Sequence, residues 1–130
     1  MATFAKTNRL QTGKKGEEFA KRYFIQNGFD ILHTNWRAGH KELDIVAMKA
    51  EKIHFVEVRS SAKQGFILPE QTIDKNKQKK ILEAARAYMI KYKITAEAQF
   101  DVVGIVFNKD RGGRQTCRLE YIPNAFTLIV

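Results

Sequence analysis

Most of the predicted fold follows from ELDIVAMKAEKIHFVEVR, which spans residues 42–59 of this 130-residue chain. Apolar residues alternate along both halves of the stretch, as they do in β-strands, and a short polar link separates the halves. We predict strands over Glu42–Met48 and Ile53–Arg59, joined as an antiparallel hairpin that turns about Ala50 and Glu51. Both faces of this hairpin are largely apolar, so we expect its sheet to be covered on both sides.

The predicted register of the hairpin places two acidic side chains opposite each other. With this turn, the numbers of paired residues sum to 101, so Asp44 lies opposite Glu57. Directly opposed like charges destabilise a sheet, and the cost rises where water is excluded. A divalent cation would compensate, because Mg2+ and Mn2+ prefer hard oxygen ligands such as carboxylates. The charges alone leave open a shifted register, or separate pairing of each acid with a lysine at a solvated edge.

Two further charged residues share this predicted face of the hairpin. The same register places Glu42 opposite Arg59, beside the acidic pair. On its own, this second pair is better interpreted as a structural cross-strand ion pair than as chemistry. By the same alternation, Leu43 and Ile45 lie together on the opposite face.

Outward from the hairpin, the sequence predicts two helices and three more strands. The helices are Gly13–Asn27 and Thr72–Lys91, with Thr72 as a cap; the strands are Phe29–Trp36, Phe100–Phe107 and Thr116–Ile122; loops cover Arg37–Lys41 and Ser60–Pro69. The order is α-β-β-β-α-β-β, which indicates an α/β fold with a mixed central sheet flanked by helices. We expect a single domain over residues 1–130, with residues 1–12 as a flexible N-terminal segment.

Both predicted helices carry residues that could extend toward the acidic pair. Glu17 continues the inward face of the first helix, although an acid in a first helical turn is also favourable without any further role. In the second helix, Lys77 and Gln78 extend the apolar face upstream and could point toward a bound phosphate. Four lysines occur in residues 74–80, including Lys75. A solvated face is the usual explanation, but the helix dipole disfavours cations there, and a bound anion would resolve the conflict.

The chain is strongly basic, which restricts its expected partners. Its 23 Lys and Arg residues exceed its 14 Asp and Glu residues, for a formal net charge of +9. This excess favours an anionic partner, with nucleic acid first and an acidic membrane surface second. The chain has no apolar run of spanning length and no apolar core near its start, so we expect no membrane association and a cytoplasmic location. Trp36 and Tyr88 are expected to pack in the core rather than stack on bases.

Several of these motifs together resemble the YraN family, also called UPF0102. The resemblance rests on Gly16-Glu17 with Ala20, on Asn35-Trp36-Arg37, on residues 42–47 and 55–59, and on Lys77. That family is similar to the PD-(D/E)xK nucleases, which have a restriction-endonuclease-like fold and relatives among Holliday-junction resolvases. The resemblance therefore implies a restriction-endonuclease-like core and a nuclease site.

Carried over residue by residue, the resemblance implies roles for specific side chains. Asp44 and Glu57 would be ligands of Mg2+ or Mn2+, Glu17 would support the site, and Lys77 would lie near phosphate. Arg59 stands where the family's catalytic motif has a lysine, and arginine stays charged and is a poor base. With Glu17, Asp44, Glu57 and Arg59 as the catalytic set, nucleic acid would be contacted by cations of the same region: Arg37, Lys41, Arg59, Lys75 and Lys77.

Three functions agree with the sequence. The first is a divalent-metal-dependent endonuclease acting on DNA, in a branched or structured form. The second is a nucleic-acid-binding module that uses the same fold without turnover, for which Arg59 would mark the lost catalysis. The third is a protein-interaction domain whose charge serves only solubility. Junction-cutting relatives are often dimers, so a homodimer is worth testing.

Overall fold

The computed structural model describes residues 9–61, 73–109 and 111–126. Within these ranges it contains helices α1 (Arg9–Gln26) and α2 (Lys75–Lys91), and strands β1 (Asp30–Ala38), β2 (Lys41–Lys49), β3 (Lys52–Ser61), β4 (Glu97–Lys109) and β5 (Gln115–Phe126). This is the predicted order, α-β-β-β-α-β-β. The predicted α/β fold with a mixed sheet flanked by helices is therefore confirmed.

The five strands lie in the sheet in the order in which they occur in the chain. Neighbouring strands are antiparallel except for β3 and β4, which are parallel. Parallel neighbours need a crossover connection, and α2 lies in the connection between these two strands. One apolar cluster joins the sheet to α2 and a second joins it to α1, so both faces are covered as predicted.

The β2–β3 hairpin has the predicted register. Cα partners run from Ile45 with Val56 to Lys49 with Lys52, and their numbers sum to 101. The two turn residues, Ala50 and Glu51, have φ angles of 50° and 65°. Two consecutive left-handed residues give the turn whose twist matches that of a hairpin, here without glycine or asparagine. The possibility of a shifted register is therefore excluded.

Strict alternation fails at one position in this hairpin. Leu43 packs in the cluster on the α2 side together with Trp36, whereas Ile45 packs on the α1 side. The sequence prediction that Leu43 and Ile45 share a face is therefore wrong. The irregularity lies at Asp44. Asn35, which lies across from Asp44 in β1, has a left-handed φ of 52°. Asparagine is one of the few residues that adopt this conformation readily.

The helix boundaries differ from the predicted ones. The first helix begins at Arg9 rather than Gly13, so residues 9–12 of the predicted N-terminal segment belong to it; residues 1–8 lie outside the described residues. Arg9, Leu10 and Gln11 are good helix formers, which favours the extension even though Thr12 is not. The second helix begins at Lys75, and Asp74 caps it by accepting a hydrogen bond of 2.8 Å from the backbone N–H of Lys77. The predicted cap, Thr72, lies outside the described residues.

Two predicted loops are partly strand. Arg37 and Ala38 belong to β1, and Lys41 begins β2, so only Gly39 and His40 form the turn between these strands. A φ of 64° at Gly39 explains why glycine suits this turn. The first two residues of the predicted loop Ser60–Pro69 belong to β3, and residues 62–72 lie outside the described residues.

The predicted core aromatics are buried. Trp36 is 6% exposed and Tyr88 is 1% exposed, and their ring centroids lie 5.2 Å apart in an edge-to-face contact. They pack between the sheet and α2, so the prediction that they are core residues is confirmed. In the parts of the chain that the structure describes, no helix is long and apolar enough to span a membrane.

A buried polar cluster joins β3, β4 and β5 on the α1 side. The Asp101 carboxylate is fully buried and lies 2.8 Å from His54 Nδ1; it accepts hydrogen bonds from Gln99 Nε2, Tyr121 Oη and the Asn124 N–H at 2.9, 2.7 and 3.0 Å. Burial raises the pKa of Asp101, but the four partners, His54 first, outweigh it and hold the pKa below its usual range. The cluster satisfies its own polar groups, which indicates a structural role.

Candidate functional site

The two predicted acids lie where the paired part of the β2–β3 hairpin ends. The last pair of Cα partners is Ile45 with Val56, and the next residue of each strand is acidic. Asp44 Oδ2 accepts a hydrogen bond of 2.8 Å from the backbone N–H of Val58. The Asp44 carboxylate thus accepts a hydrogen bond that a backbone carbonyl of the neighbouring strand would otherwise accept. This bond holds Asp44 beside Glu57.

Glu57 is a buried carboxylate with two cationic neighbours. Its residue surface is only 7% exposed. Lys77 Nζ lies 3.6 Å and Arg59 Nη1 lies 3.8 Å from the same oxygen, Glu57 Oε2. One cation comes from the first turn of α2 and the other from β3. The site therefore combines strand carboxylates with a helix cation, as the sequence predicted for Lys77.

The two carboxyl groups interact directly. Burial, the charge of Glu57 and a hydrogen bond with the Glu57 side chain together raise the pKa of Asp44 to about 8, against the opposing effects of the Val58 N–H and Lys77. Protonated Asp44 can donate a hydrogen bond to Glu57, which holds the two carboxyl groups together. Separate pairing of each acid with a lysine at a solvated edge is therefore not what the structure shows.

Glu17 of α1 also approaches the pair. Burial raises the pKa of Glu17, a side-chain hydrogen bond with Asn35 lowers it, and the charges of Asp44 and Glu42 raise it. Glu17 therefore lies within electrostatic range of Asp44, as its position on the inward helix face predicted. Sequence analysis assigned no role to Asn35, although its type favours the left-handed backbone that presents its amide to Glu17.

A glycine allows α1 to approach the site closely. A Cβ atom at Gly16 would lie 3.0 Å from Ser60 Cβ and 3.1 Å from Ser60 Oγ, closer than van der Waals contact allows. Gly16 precedes Glu17, and Ser60 follows Arg59 in β3. The absence of a side chain at residue 16 thus sets the distance between the two elements that carry Glu17 and Glu57.

We expect Gly16→Val to lower the free energy of unfolding by about 1–3 kcal/mol, because the new side chain overlaps Ser60 and α1 must shift. Chemical denaturation measures the effect. Glu18→Val is the matched control, since Glu18 is exposed on the same helix and loses only helix propensity, at most about 0.7 kcal/mol. Equal stabilities of the two variants would contradict this packing.

The predicted ion pair between Glu42 and Arg59 is wrong. Glu42 lies opposite Arg37 in the β1–β2 register, and Arg37 Nη2 is 3.6 Å from Glu42 Oε1. Arg59 instead approaches Glu57. The reason is that residue 37 belongs to a strand, not to the predicted loop, and so supplies the nearer cation.

The remaining predicted residues, Lys41, Lys75 and Gln78, lie near the first positions of β2 and α2. Lys75 and Lys41 are exposed at the first positions of α2 and β2, and Gln78 Nε2 donates a hydrogen bond of 3.2 Å to the Ile73 carbonyl. The lysine-rich first turn of α2 is offset in two ways. The Asp74 carboxylate caps the helix, and Glu57 pairs with Lys77.

The donor set fits a hard divalent cation. Across residues 9–61, 73–109 and 111–126, no group of three or more His, Cys, Asp or Glu side chains is placed to hold a metal ion. Two carboxylates are nevertheless the usual protein share for Mg2+, whose other ligands are waters and phosphate oxygens. Asp44 and Glu57 are the residues that could hold such a cation, which would replace the proton on Asp44.

Comparisons with known proteins give the family. The model of the uncharacterised protein family UPF0102 matches residues 16–105. A UPF0102 protein of Porphyromonas gingivalis is 37% identical over 119 residues, which cover 91% of this chain and 85% of that relative. Another, of Syntrophus aciditrophicus, is 36% identical over 126 residues, covering 96% and 95%. The chain therefore belongs to the UPF0102 family.

Proposed function

We propose that the protein is a divalent-metal-dependent phosphodiesterase that cleaves DNA. The observation that carries the proposal is the pair of half-buried Asp44 and buried Glu57, with two cations, Lys77 and Arg59, beside Glu57. Carboxylates can hold a cation, and the flanking cations can hold the anionic substrate next to it. The formal net charge of +9 favours a polyanionic substrate.

Each residue has a distinct part in this mechanism. Asp44 and Glu57 would hold Mg2+ or Mn2+, which polarises a phosphate and lowers the pKa of bound water. Asp44 must first release the proton that it donates to Glu57. Glu17, held by Asn35, orients the acidic end of the sheet from the α1 side. Lys77 and Arg59 offset the charge that develops on the phosphate in the transition state.

Lys77 supplies the ammonium group that the family resemblance predicts at residue 59. An arginine there can grip a phosphate with its planar fork but is a poor base. Lys77 Nζ reaches the same Glu57 oxygen from α2 at a slightly shorter distance, 3.6 Å against 3.8 Å for Arg59 Nη1. The ammonium can position the attacking water, and Arg59 can neutralise the phosphate.

A nucleic-acid-binding protein without turnover is the second candidate. Its support is Arg59 itself, because two cations on one buried carboxylate can bind phosphate without activating water. Such a protein would bind DNA equally well with and without metal. Its affinity would fall steeply with salt, as counterion release requires.

The test is cleavage of labelled single-stranded, duplex and four-way-junction DNA in Mn2+ or EDTA. The expected result is Mn2+-dependent cleavage that the Asp44→Asn/Glu57→Gln double variant loses. No metal-dependent cleavage of any substrate, or cleavage that the double variant retains, would overturn the proposal. Salt-sensitive binding without cleavage would establish the second candidate.

A further inference from the structure

The described residues form a cleft of about 620 Å3 that is lined in part by Lys77, the lysine that contacts Glu57. One wall is the turn between β1 and β2, which contributes His40 and Lys41; the other is the first half of α2, which contributes Lys77 and Lys80. Lys77 belongs to both places, because it lines the cleft and also lies 3.6 Å from Glu57. A ligand that contacts Lys77 in the cleft would therefore be separated from Glu57 by that one side chain.

The lining of the cleft suits a nucleotide. Lysines provide partners for a phosphate, and half-buried Ala38 provides a small apolar surface against which a base or sugar can lie. His40 is exposed at the tip of the turn and offers a ring for stacking. Of the carboxylates that line the cleft, Glu42 is paired with Arg37, and Glu83 can accept a hydrogen bond from a base amino group.

The shape of the cleft distinguishes an unpaired nucleotide from a duplex. Proteins read a duplex by inserting a helix or a strand pair into a groove, which needs a protruding element. A concave site of this volume lies in the range of small-molecule pockets, roughly 300–1,000 Å3. Enzymes that admit a base to such a pocket take it out of the stack or act on a single strand.

We propose that this cleft binds one unpaired nucleotide next to the phosphate that Lys77 and Arg59 hold beside the acidic pair, so that the substrate is DNA with a single-stranded segment at the cleavage point. The inference rests on the proposed function for the position of the phosphate. Binding itself needs no metal, because lysines and a ring supply the contacts. It can therefore be measured without cleavage.

The test is fluorescence anisotropy in EDTA with a labelled single-stranded DNA of about ten nucleotides, and with a blunt duplex of the same sequence. We expect the single strand to bind at least about tenfold more tightly. His40→Ala should weaken single-strand binding about tenfold and leave duplex binding unchanged. Lys80→Glu should also weaken it about tenfold, whereas Lys91→Glu, an exposed lysine at the far end of α2, should change it less than about threefold.

Each alternative result is decisive. Equal affinity for the two DNAs would overturn the inference, as would equal effects of Lys80→Glu and Lys91→Glu. Failure of the proposed function gives a different result: the single strand would still bind in EDTA, but no Mn2+-dependent cleavage would appear.

Discussion

Asp44→Asn is expected to make the metal-free protein more stable and to remove its metal-dependent cleavage. Asparagine can still accept the hydrogen bond from the Val58 N–H and can donate to Glu57, as protonated aspartic acid does. Asparagine is neutral, so folding does not require the burial of a charge at residue 44. The shift from the usual 3.8 to about 8 bounds the gain near 6 kcal/mol. With relaxation of the site, we expect about 2–4 kcal/mol at pH 8.

The gain should depend on pH in a defined direction. Because the pKa of Asp44 is raised on folding, its contribution to stability is fully present below about pH 4 and is lost as the pH rises through about 8. The difference between Asp44→Asn and the natural protein should therefore be small near pH 4 and largest at and above pH 8. Chemical denaturation in EDTA across this range measures it.

The same substitution should lower Mn2+-dependent cleavage by about 1,000-fold, because metal-derived stabilisation of the transition state is worth several kcal/mol. Adding Mn2+ at pH 8 should stabilise the natural protein and not the variant. Asp30→Asn is a matched control, because Asp30 is exposed at the start of β1. If Asp44→Asn were less stable than the natural protein at pH 8, the claim that the charge of Asp44 destabilises the folded protein would be contradicted.

Lys77→Met is expected to lower cleavage by about 100-fold or more at saturating DNA, and to weaken DNA binding as well because Lys77 also lines the cleft. It removes the ammonium group 3.6 Å from Glu57 and keeps the apolar stem of the side chain. Charge and proton-transfer groups of this kind contribute roughly 100-fold to 10,000-fold to a rate. Single-turnover kinetics at saturating DNA separate the chemical step from binding.

Lys79→Met is the control for this prediction, because Lys79 is an exposed lysine of the same helix. Its cleavage rate should stay within about threefold of that of the natural protein. Arg59→Lys should change the rate only modestly, because Lys77 already brings an ammonium group to Glu57. A large gain in Arg59→Lys would instead show that arginine limits catalysis and that Lys77 does not fill the role.

The register of the hairpin was predictable because local features determine it. The turn at Ala50 and Glu51 and the apolar alternation of both strands specify one pairing, and that pairing places Asp44 beside Glu57. The helix face of Lys77 was predictable for a similar reason, since its spacing from Ile81 follows the helical period. These two predictions cover three residues of the candidate site, Asp44, Glu57 and Lys77.

The errors arose where a third element intervenes. The register of β2 and β3 alone predicts that Glu42 pairs with Arg59. In the folded protein, β1 brings Arg37 opposite Glu42. Leu43 was placed on the wrong face because alternation assumes a regular strand, and Asn35 and Asp44 interrupt it. Nor could sequence spacing reveal the contact of Gly16 with Ser60, which depends on how α1 lies across the sheet.

The most direct test of the site is calorimetric titration of Mn2+ into the metal-free protein at about pH 7, where Asp44, whose pKa is raised to about 8, is mostly protonated. The natural protein should bind Mn2+ at the carboxylate pair and release a proton, because Asp44 must lose the one it carries. Titration in buffers with different ionisation enthalpies measures that proton. The folded Asp44→Asn/Glu57→Gln variant should bind at least about 100-fold more weakly. Equal affinity in the natural protein and the double variant would contradict the account.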